Sequence, residues 1–153
     1  MTSQNYAKLN TILGWSAFAI ALITYMLTLE PTVSYWDCGE YISTAVKLEI
    51  GHPPGAPLFQ MLGAFFAMFT SDVTQVAYMV NFMSALASAF TILFLFWTIT
   101  ALAKKVVATT DEISTSKSYA IFGSGLVGAL AYTFLIAFGL VQLRVKFMPC
   151  HLF

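Results

Sequence analysis

Residues 76–103 read VAYMVNFMSALASAFTILFLFWTITALA and are followed at once by Lys104-Lys105. No Asp, Glu, Lys or Arg interrupts the run. At about 1.5 Å per residue a helix of this length reaches roughly 42 Å, more than the ~30 Å hydrocarbon core of a bilayer. Inside lipid the backbone must satisfy its own hydrogen bonds, so a run of this kind crosses as a helix. It decides the fold class: an all-α, polytopic helical membrane protein.

Composition agrees. Of the 153 residues 59% are hydrophobic and 9% charged, against about 45–50% and 25% in soluble domains. Aromatic residues make up 16%, with 14 Phe, and seven basic residues balance seven acidic ones. A net charge of zero argues against a nucleic-acid partner and against a polybasic surface anchor. The two cysteines, Cys38 and Cys150, form neither a metal-ligand spacing nor a disulfide framework.

Working outward, Thr11–Leu29 is a second uncharged apolar block, closed by Glu30-Pro31. It extends about 28 Å as a helix. The block exceeds a signal peptide's apolar region and no small-x-small cleavage site follows, so it reads as an uncleaved span with Trp15 and Tyr25 near its interfaces. Tyr119–Leu143 is the third span, with Gly123, Gly125 and Gly128 allowing close helix packing. Leu58–Thr70 is apolar but too short to cross and is expected to lie against the outer face. Residues 1–153 form a single membrane domain on this reading.

Lysines orient it. Lys8 before the first span and Lys104-Lys105 after the second fall on one side, cytoplasmic by the positive-inside rule. The N-terminus is then cytoplasmic, loop 30–75 external, and the stretch from Thr109 to Ser118, with Asp111, Glu112 and Lys117, cytoplasmic. A cysteine placed at Lys105 is expected to resist membrane-impermeant reagents added from outside; reaction there would overturn the topology.

The external loop carries the one convergent polar cluster, centred on Tyr35-Trp36-Asp37-Cys38-Gly39-Glu40-Tyr41. Apolar residues from Tyr41 to Leu48 recur at helical spacing, which predicts a short surface helix over 37–50, capped by Gly51 and stopped by Pro53-Pro54. On that helix Asp37 and Glu40 share a face, with Cβ atoms about 5–6 Å apart. Carboxylates this close titrate as a pair, which can keep one of them a base near neutral pH. The plainer reading is an acidic first turn that stabilises the helix dipole. Lys47 could neutralise a phosphate or simply snorkel from the surface helix. His52 could meet a phosphate or a metal, although a single loop histidine is often incidental. Asn81, near the outer end of the second span, suits a hydrogen bond between helices. No P-loop, dinucleotide fingerprint, zinc motif or nucleophile elbow is present.

PTVSYWDCGEYI at 31–42 followed by KLEIGHPPGAPL at 47–58 resembles the start of a bacterial membrane-protein family labelled a domain of unknown function. That family is similar to animal transmembrane protein 260, a protein O-mannosyltransferase. The resemblance runs from about Thr11 to Phe134. It extends to the GT-C superfamily of lipid-linked-sugar transferases, through Asp37 four before Tyr41, the Pro53-Pro54 turn, and Ser84-Ala85-Leu86 in the second span. The resemblance implies a GT-C-like N-terminal part with interfacial helices in its first external loop. Its chemistry would be transfer of a sugar, such as mannose, from a polyprenyl-phosphate donor to a hydroxyl of a protein or glycan acceptor. Asp37 would be the general base and Glu40 its partner or a metal-binding group. Lys47, His52 and Tyr41 would contact substrate. No cofactor is fixed by the residues; a divalent metal is the one candidate. The setting implied is the bacterial inner membrane, with membrane lipid as the standing partner. On this reading the chain is an N-terminal piece, inactive by itself. The alternative is a small helical membrane protein with a scaffold or transport role.

The tail carries one more expectation. Relatives of this kind continue after Tyr-Thr-Phe with Ser-Asp, aromatic residues and Glu-Gly-Glu, whereas this chain continues from Leu135 to Phe153 differently. A permitted set of codons for Phe134–His151, read with one T inserted after the first, gives Phe-Ser-Asp-Ser-Phe-Trp-Phe-Ser-Ala-Val-Glu-Gly-Glu-Val-Tyr-Ala-Met-Ser. As written, Arg144 and Lys146 close the third span on the outer side, against the positive-inside trend. The expectation is a shifted frame over 135–153, in which Arg144, Lys146, Cys150 and His151 form no site. Resequencing the gene tests it: restoring one base near the Phe134 codon should open a longer frame, and finding none refutes it.

Overall fold

The structure, a computed structural model, describes residues 2–33, 38–51, 56–107 and 114–147, with side chains through Gly139. In chain order the helices are α1 (Ser3–Leu27), α2 (Cys38–Lys47), α3 (Pro57–Ala67), a 3-10 turn (Val73–Gln75), α4 (Val76–Val107) and α5 (Thr115–Phe147). Among the described residues there is no strand, and three helices are long and apolar enough to cross a membrane: Ser3–Leu27, Val73–Val107 and Thr115–Gly139. The all-α, three-helix expectation holds. The chain divides into two compact units, Met1–Thr28 with Ser88–Phe153, and Leu29–Ala87.

In the first unit, α1 starts at Ser3 because Thr2 caps it, its hydroxyl accepting from the Asn5 N–H at 3.3 Å. The 25-residue helix is about 38 Å long, so its polar first turns can project beyond an apolar core. This moves Trp15 to the middle of the helix. Tyr25, 4% exposed, packs inside the unit. The apolar block understates the helix by its polar N-terminal turns. Gly14, Ala17, Ala21 and Tyr25 form the buried face of α1, spaced three or four apart as one helical stripe requires.

Ring contacts establish direction. Going up α1, Tyr6 lies beneath the Lys104 ammonium at 5.1 Å, Trp15 meets Trp97 edge-on at 6.5 Å, and Phe18 meets Phe90 at 4.8 Å. The partners descend α4 as α1 rises, so the two run antiparallel. Tyr6 also stacks on Phe122 of α5 at 4.8 Å. The ends nearest Lys8, Lys104 and Lys117 therefore gather at one end of this unit, where a cation over an aromatic face contributes about 0.5–1 kcal/mol or more.

Close approach of α4 and α5 depends on glycine at two places. A Cβ on Gly125 would lie 2.7 Å from Thr100 Cγ2 and 2.9 Å from Phe96 Cε2, and one on Gly128 would lie 2.6 Å from Ile99 Cδ1. Gly123, expected to share this role, meets nothing within 4 Å. The reason is spacing: three residues keep 125 and 128 on one face, whereas two residues turn 123 away. The helix itself opens with Ser114 as cap, its hydroxyl accepting from the Lys117 N–H at 3.3 Å, and it continues unbroken past Leu135 to Phe147.

In the second unit, Ile42 of α2 packs with Val80 and Met83 of α4, joined by Phe59 and Phe66 of α3 and by Val76 and Ala77. Ala45 and Gly63 let α2 and α3 touch, a Cβ on Gly63 falling 3.0 Å from that of Ala45. The other side of α3 exposes Leu58, Met61, Leu62 and Phe65, and the turn after it Met68 and Phe69. Eleven residues give about 16 Å, half a hydrocarbon core. Asp72 caps the 3-10 turn, accepting from the Thr74 N–H at 2.9 Å. That hydrogen bond holds its carboxyl below the usual carboxylate range. The cap's contribution is thus complete above the unfolded aspartate's pKa and fades as pH falls through the lowered folded value.

Candidate functional site

α2 forms because its apolar residues fall on one face, but its end differs from expectation. Leu48, not Gly51, turns the chain, with φ of 54°. The Leu48 N–H donates to Ala45 O at 3.2 Å and the Glu49 N–H to Thr44 O at 2.9 Å, the paired bonds of a Schellman cap. Left-handed backbone costs a residue with a side chain about 1–2 kcal/mol. Leu48→Gly is accordingly expected to stabilise the chain by about 1 kcal/mol, read as a raised midpoint in thermal unfolding in detergent. An unchanged or lowered midpoint contradicts the strain.

Released from the cap, Gly51 lies against α2 and α3. Around the point where a Cβ on Gly51 would sit are Glu40 Oε1 at 3.3 Å, Gln60 Nε2 at 3.6 Å and Thr44 Oγ1 at 3.8 Å. The Gln60 amide donates to Thr44 Oγ1 at 3.3 Å, and the Thr44 hydroxyl donates to the Glu40 carbonyl at 2.8 Å. Glu40 is therefore held on a turn that is clamped to α3 by two successive hydrogen bonds. Asn81 of α4 donates to the carbonyls of Glu30 at 2.9 Å and Thr32 at 3.1 Å, fixing the chain that enters the loop. It bonds a non-helical segment, where a bond to another helix was expected, because those carbonyls lie outside any helix and lack intrahelical donors.

Of the residues proposed for chemistry, Glu40 joins this cluster. Tyr41 is half-buried and turned edge-on to Phe59 at 5.8 Å, a packing position. Lys47 is exposed in the last turn of α2, on the same helical face as Glu40 and Thr44 by its spacing. Cys38 is free and exposed. Asp37, His52 and Cys150 lie outside the described residues. Among the described residues no three of His, Cys, Asp and Glu gather as a metal site would require. Thr44 and Gln60 were not singled out from sequence. The available signals were the i, i+4 spacing of Thr44 from Glu40 and the isolation of Gln60 as the one polar side chain of α3, PLFQMLGAFFA.

Three long apolar helices with a polar cluster on short helices between the first two define a polytopic helical membrane protein. The profile of the family described as the protein O-mannosyl-transferase TMEM260 N-terminal domain matches residues 37–153, and the chain belongs to that family. The protein O-mannosyl-transferase tmem260 of Dictyostelium discoideum is 36% identical over 83 residues, 54% of this chain and 10% of that protein. The protein O-mannosyl-transferase TMEM260 of Mus musculus is 35% identical over 84 residues, 55% of this chain and 12% of that protein. The chain thus spans about a tenth of the length of these curated relatives. No solved structure matches it. The family match starts at Asp37 and runs to Phe153, whereas the resemblance in the sequence was placed from Thr11 to Phe134; resequencing the gene remains the measurement that decides the tail.

Proposed function

We propose that this chain is the first membrane part of a protein O-mannosyltransferase, in which the loop between its first two spans presents an acidic pair to the substrates. The observation that carries the reading is the family match over residues 37–153, which begins at the proposed base. In this reading the spans near 11–29, 76–103 and 119–143 cross a bacterial inner membrane, with the N-terminus cytoplasmic and loop 30–75 outside. The gathering of Tyr6, Lys104 and Phe122 at one end of the first unit supports a common side for Lys8, Lys104 and Lys117. α3, short and apolar on its exposed side, lies in the outer leaflet without crossing.

The donor is a polyprenyl-phosphate mannose and the acceptor a protein hydroxyl. Asp37 removes the hydroxyl proton as the oxygen attacks the anomeric carbon and the lipid phosphate departs. Glu40, held by the clamp to α3, neighbours that base. Lys47 and His52 face the leaving phosphate's charge, and Tyr41 supports the turn from the core side. The activity belongs to a longer polypeptide than residues 1–153, consistent with the small share of the relatives that is matched. The test is transfer of mannose from dolichyl- or undecaprenyl-phosphate mannose to a Ser/Thr peptide by the full gene product in lipid. Absence of transfer from both donors under conditions where the protein is folded refutes the reading.

A further inference from the structure

We infer that Lys8, Lys105 and Lys117, with Lys104 beside them, form a rim on the first unit that binds the headgroups of anionic phospholipids. The zero net charge of the chain is a sum of unlike ends. Loop 30–75 holds Glu30, Asp37, Glu40, Glu49 and Asp72 against Lys47. The ends of α1, α4 and α5 that meet around Tyr6 carry Lys8, Lys104, Lys105 and Lys117 instead. No Asp or Glu stands among the described residues of this unit. Asp111 and Glu112, in the segment joining α4 to α5, offset only part of that charge.

Each exposed lysine stands at the end of an apolar column. Lys104 lies over the Tyr6 ring at 5.1 Å, which turns the next residue, Lys105, outward. Three, seven and eleven positions before Lys105, on its own face of α4, Leu102, Thr98 and Phe94 are exposed. On α1 the exposed column is Lys8, Ile12 and Trp15, and on α5 it is Lys117, Ala120, Ser124 and Val127. Counting helical rise from Tyr6 and Phe122, the three outward lysines fall within about 10 Å of one another along the bundle axis. Flexible lysine stems close that spread by snorkelling to one headgroup layer. A matching ligand brings an anion to the rim and an apolar chain to the columns below it. Free phosphate supplies only the anion, and a zwitterionic lipid sets its own cation beside the lysines. An anionic phospholipid meets both demands, and each lysine near the surface favours it by about fivefold.

The test needs no turnover, so its result is independent of the transferase reading. The chain is reconstituted in phosphatidylcholine bilayers containing a trace of phosphatidylglycerol or phosphatidylcholine spin-labelled on an acyl chain. Electron spin resonance then gives the fraction of each label held against the protein. Both leaflets carry label, so the direction of insertion does not enter. The wild-type chain is expected to hold phosphatidylglycerol over phosphatidylcholine by about fivefold at low salt, and by less as salt screens the rim. Lys8→Gln, Lys105→Gln and Lys117→Gln combined should bring the preference to within about twofold of none. Arginine at the same three positions should preserve it, which separates lost charge from lost folding. Lys47, Arg144 and Lys146 are present in every variant and cancel. Exchanging chloride for inorganic phosphate at equal ionic strength should leave the preference unchanged; its loss there assigns the rim to a free anion and overturns the lipid site. Equal association of the two lipids with the wild-type chain, an undiminished preference in the glutamine variant, or a loss in the arginine variant as large as in the glutamine one also overturns it.

Discussion

Replacing Asp37 with Asn in the full gene product is expected to lower mannosyl transfer by about 10²- to 10⁴-fold, the usual contribution of a positioned general base. Asn keeps the shape and the hydrogen-bonding reach of the side chain but cannot take a proton. The loss should fall on kcat and kcat/KM together, since the proton moves only as the acceptor oxygen attacks. The wild-type rate should also fall toward low pH as the base is protonated, and this acid limb should vanish in whatever residual rate the variant retains. Glu40→Gln, on the same helix face by sequence spacing, is expected to cost less and to act on binding. A transfer rate in Asp37→Asn within a few-fold of wild type would remove Asp37 from the mechanism and leave Glu40 as the carboxylate to examine.

The second large effect concerns the α4–α5 contact. Gly125→Ala puts a methyl group 2.7 Å from Thr100 Cγ2 and 2.9 Å from Phe96 Cε2, with Phe96 fully buried. Neither neighbour can withdraw without moving a helix, so overpacking is expected to cost about 1–3 kcal/mol. Gly123→Ala is the matched control. It meets nothing within 4 Å, and exchanging glycine for alanine in an open helical position should be neutral or favourable by up to about 1 kcal/mol. Unfolding of both variants in mixed micelles, followed by the fluorescence of the three tryptophans, gives the comparison. Equal midpoints for the two would mean that α4 and α5 do not approach as closely at Gly125 as the structure has them.

Much of the architecture is written locally. An uncharged run such as 76–103 has one low-energy form in lipid, because the helix alone satisfies its backbone, and this holds whatever it packs against. The ends of the apolar runs at Glu30-Pro31 and at Lys104-Lys105 are likewise written locally. The short length of α3 follows from Pro57 at its start and the polar Thr70-Ser71-Asp72 at its close. Helix ends were less legible. α1 reaches back to Ser3 because a capping threonine and tolerant polar residues extend it beyond the apolar block, and hydropathy is blind to both. α2 ends at a left-handed leucine, not at the glycine three residues on, because the cap is closed by two backbone bonds that composition does not reveal.

The site divides in the same way. That Glu40 and Thr44 share a helix face was determined by their spacing in the sequence alone, since 3.6 residues complete a turn wherever the helix lies. Membership of the family was legible too, in the run from Pro31 to Leu58. Which glycines carry the helix contact, and which polar groups meet Glu40, were decided only by tertiary structure. Gly125 and Gly128 differ from Gly123 by their partners on α4, and Gln60 reaches Thr44 across sixteen positions of chain. Such pairings depend on how two helices are rotated about their axes, and that rotation is set by the sum of contacts along both, such as Ala45 against Gly63 and Phe59 against Tyr41, which no single stretch of sequence contains.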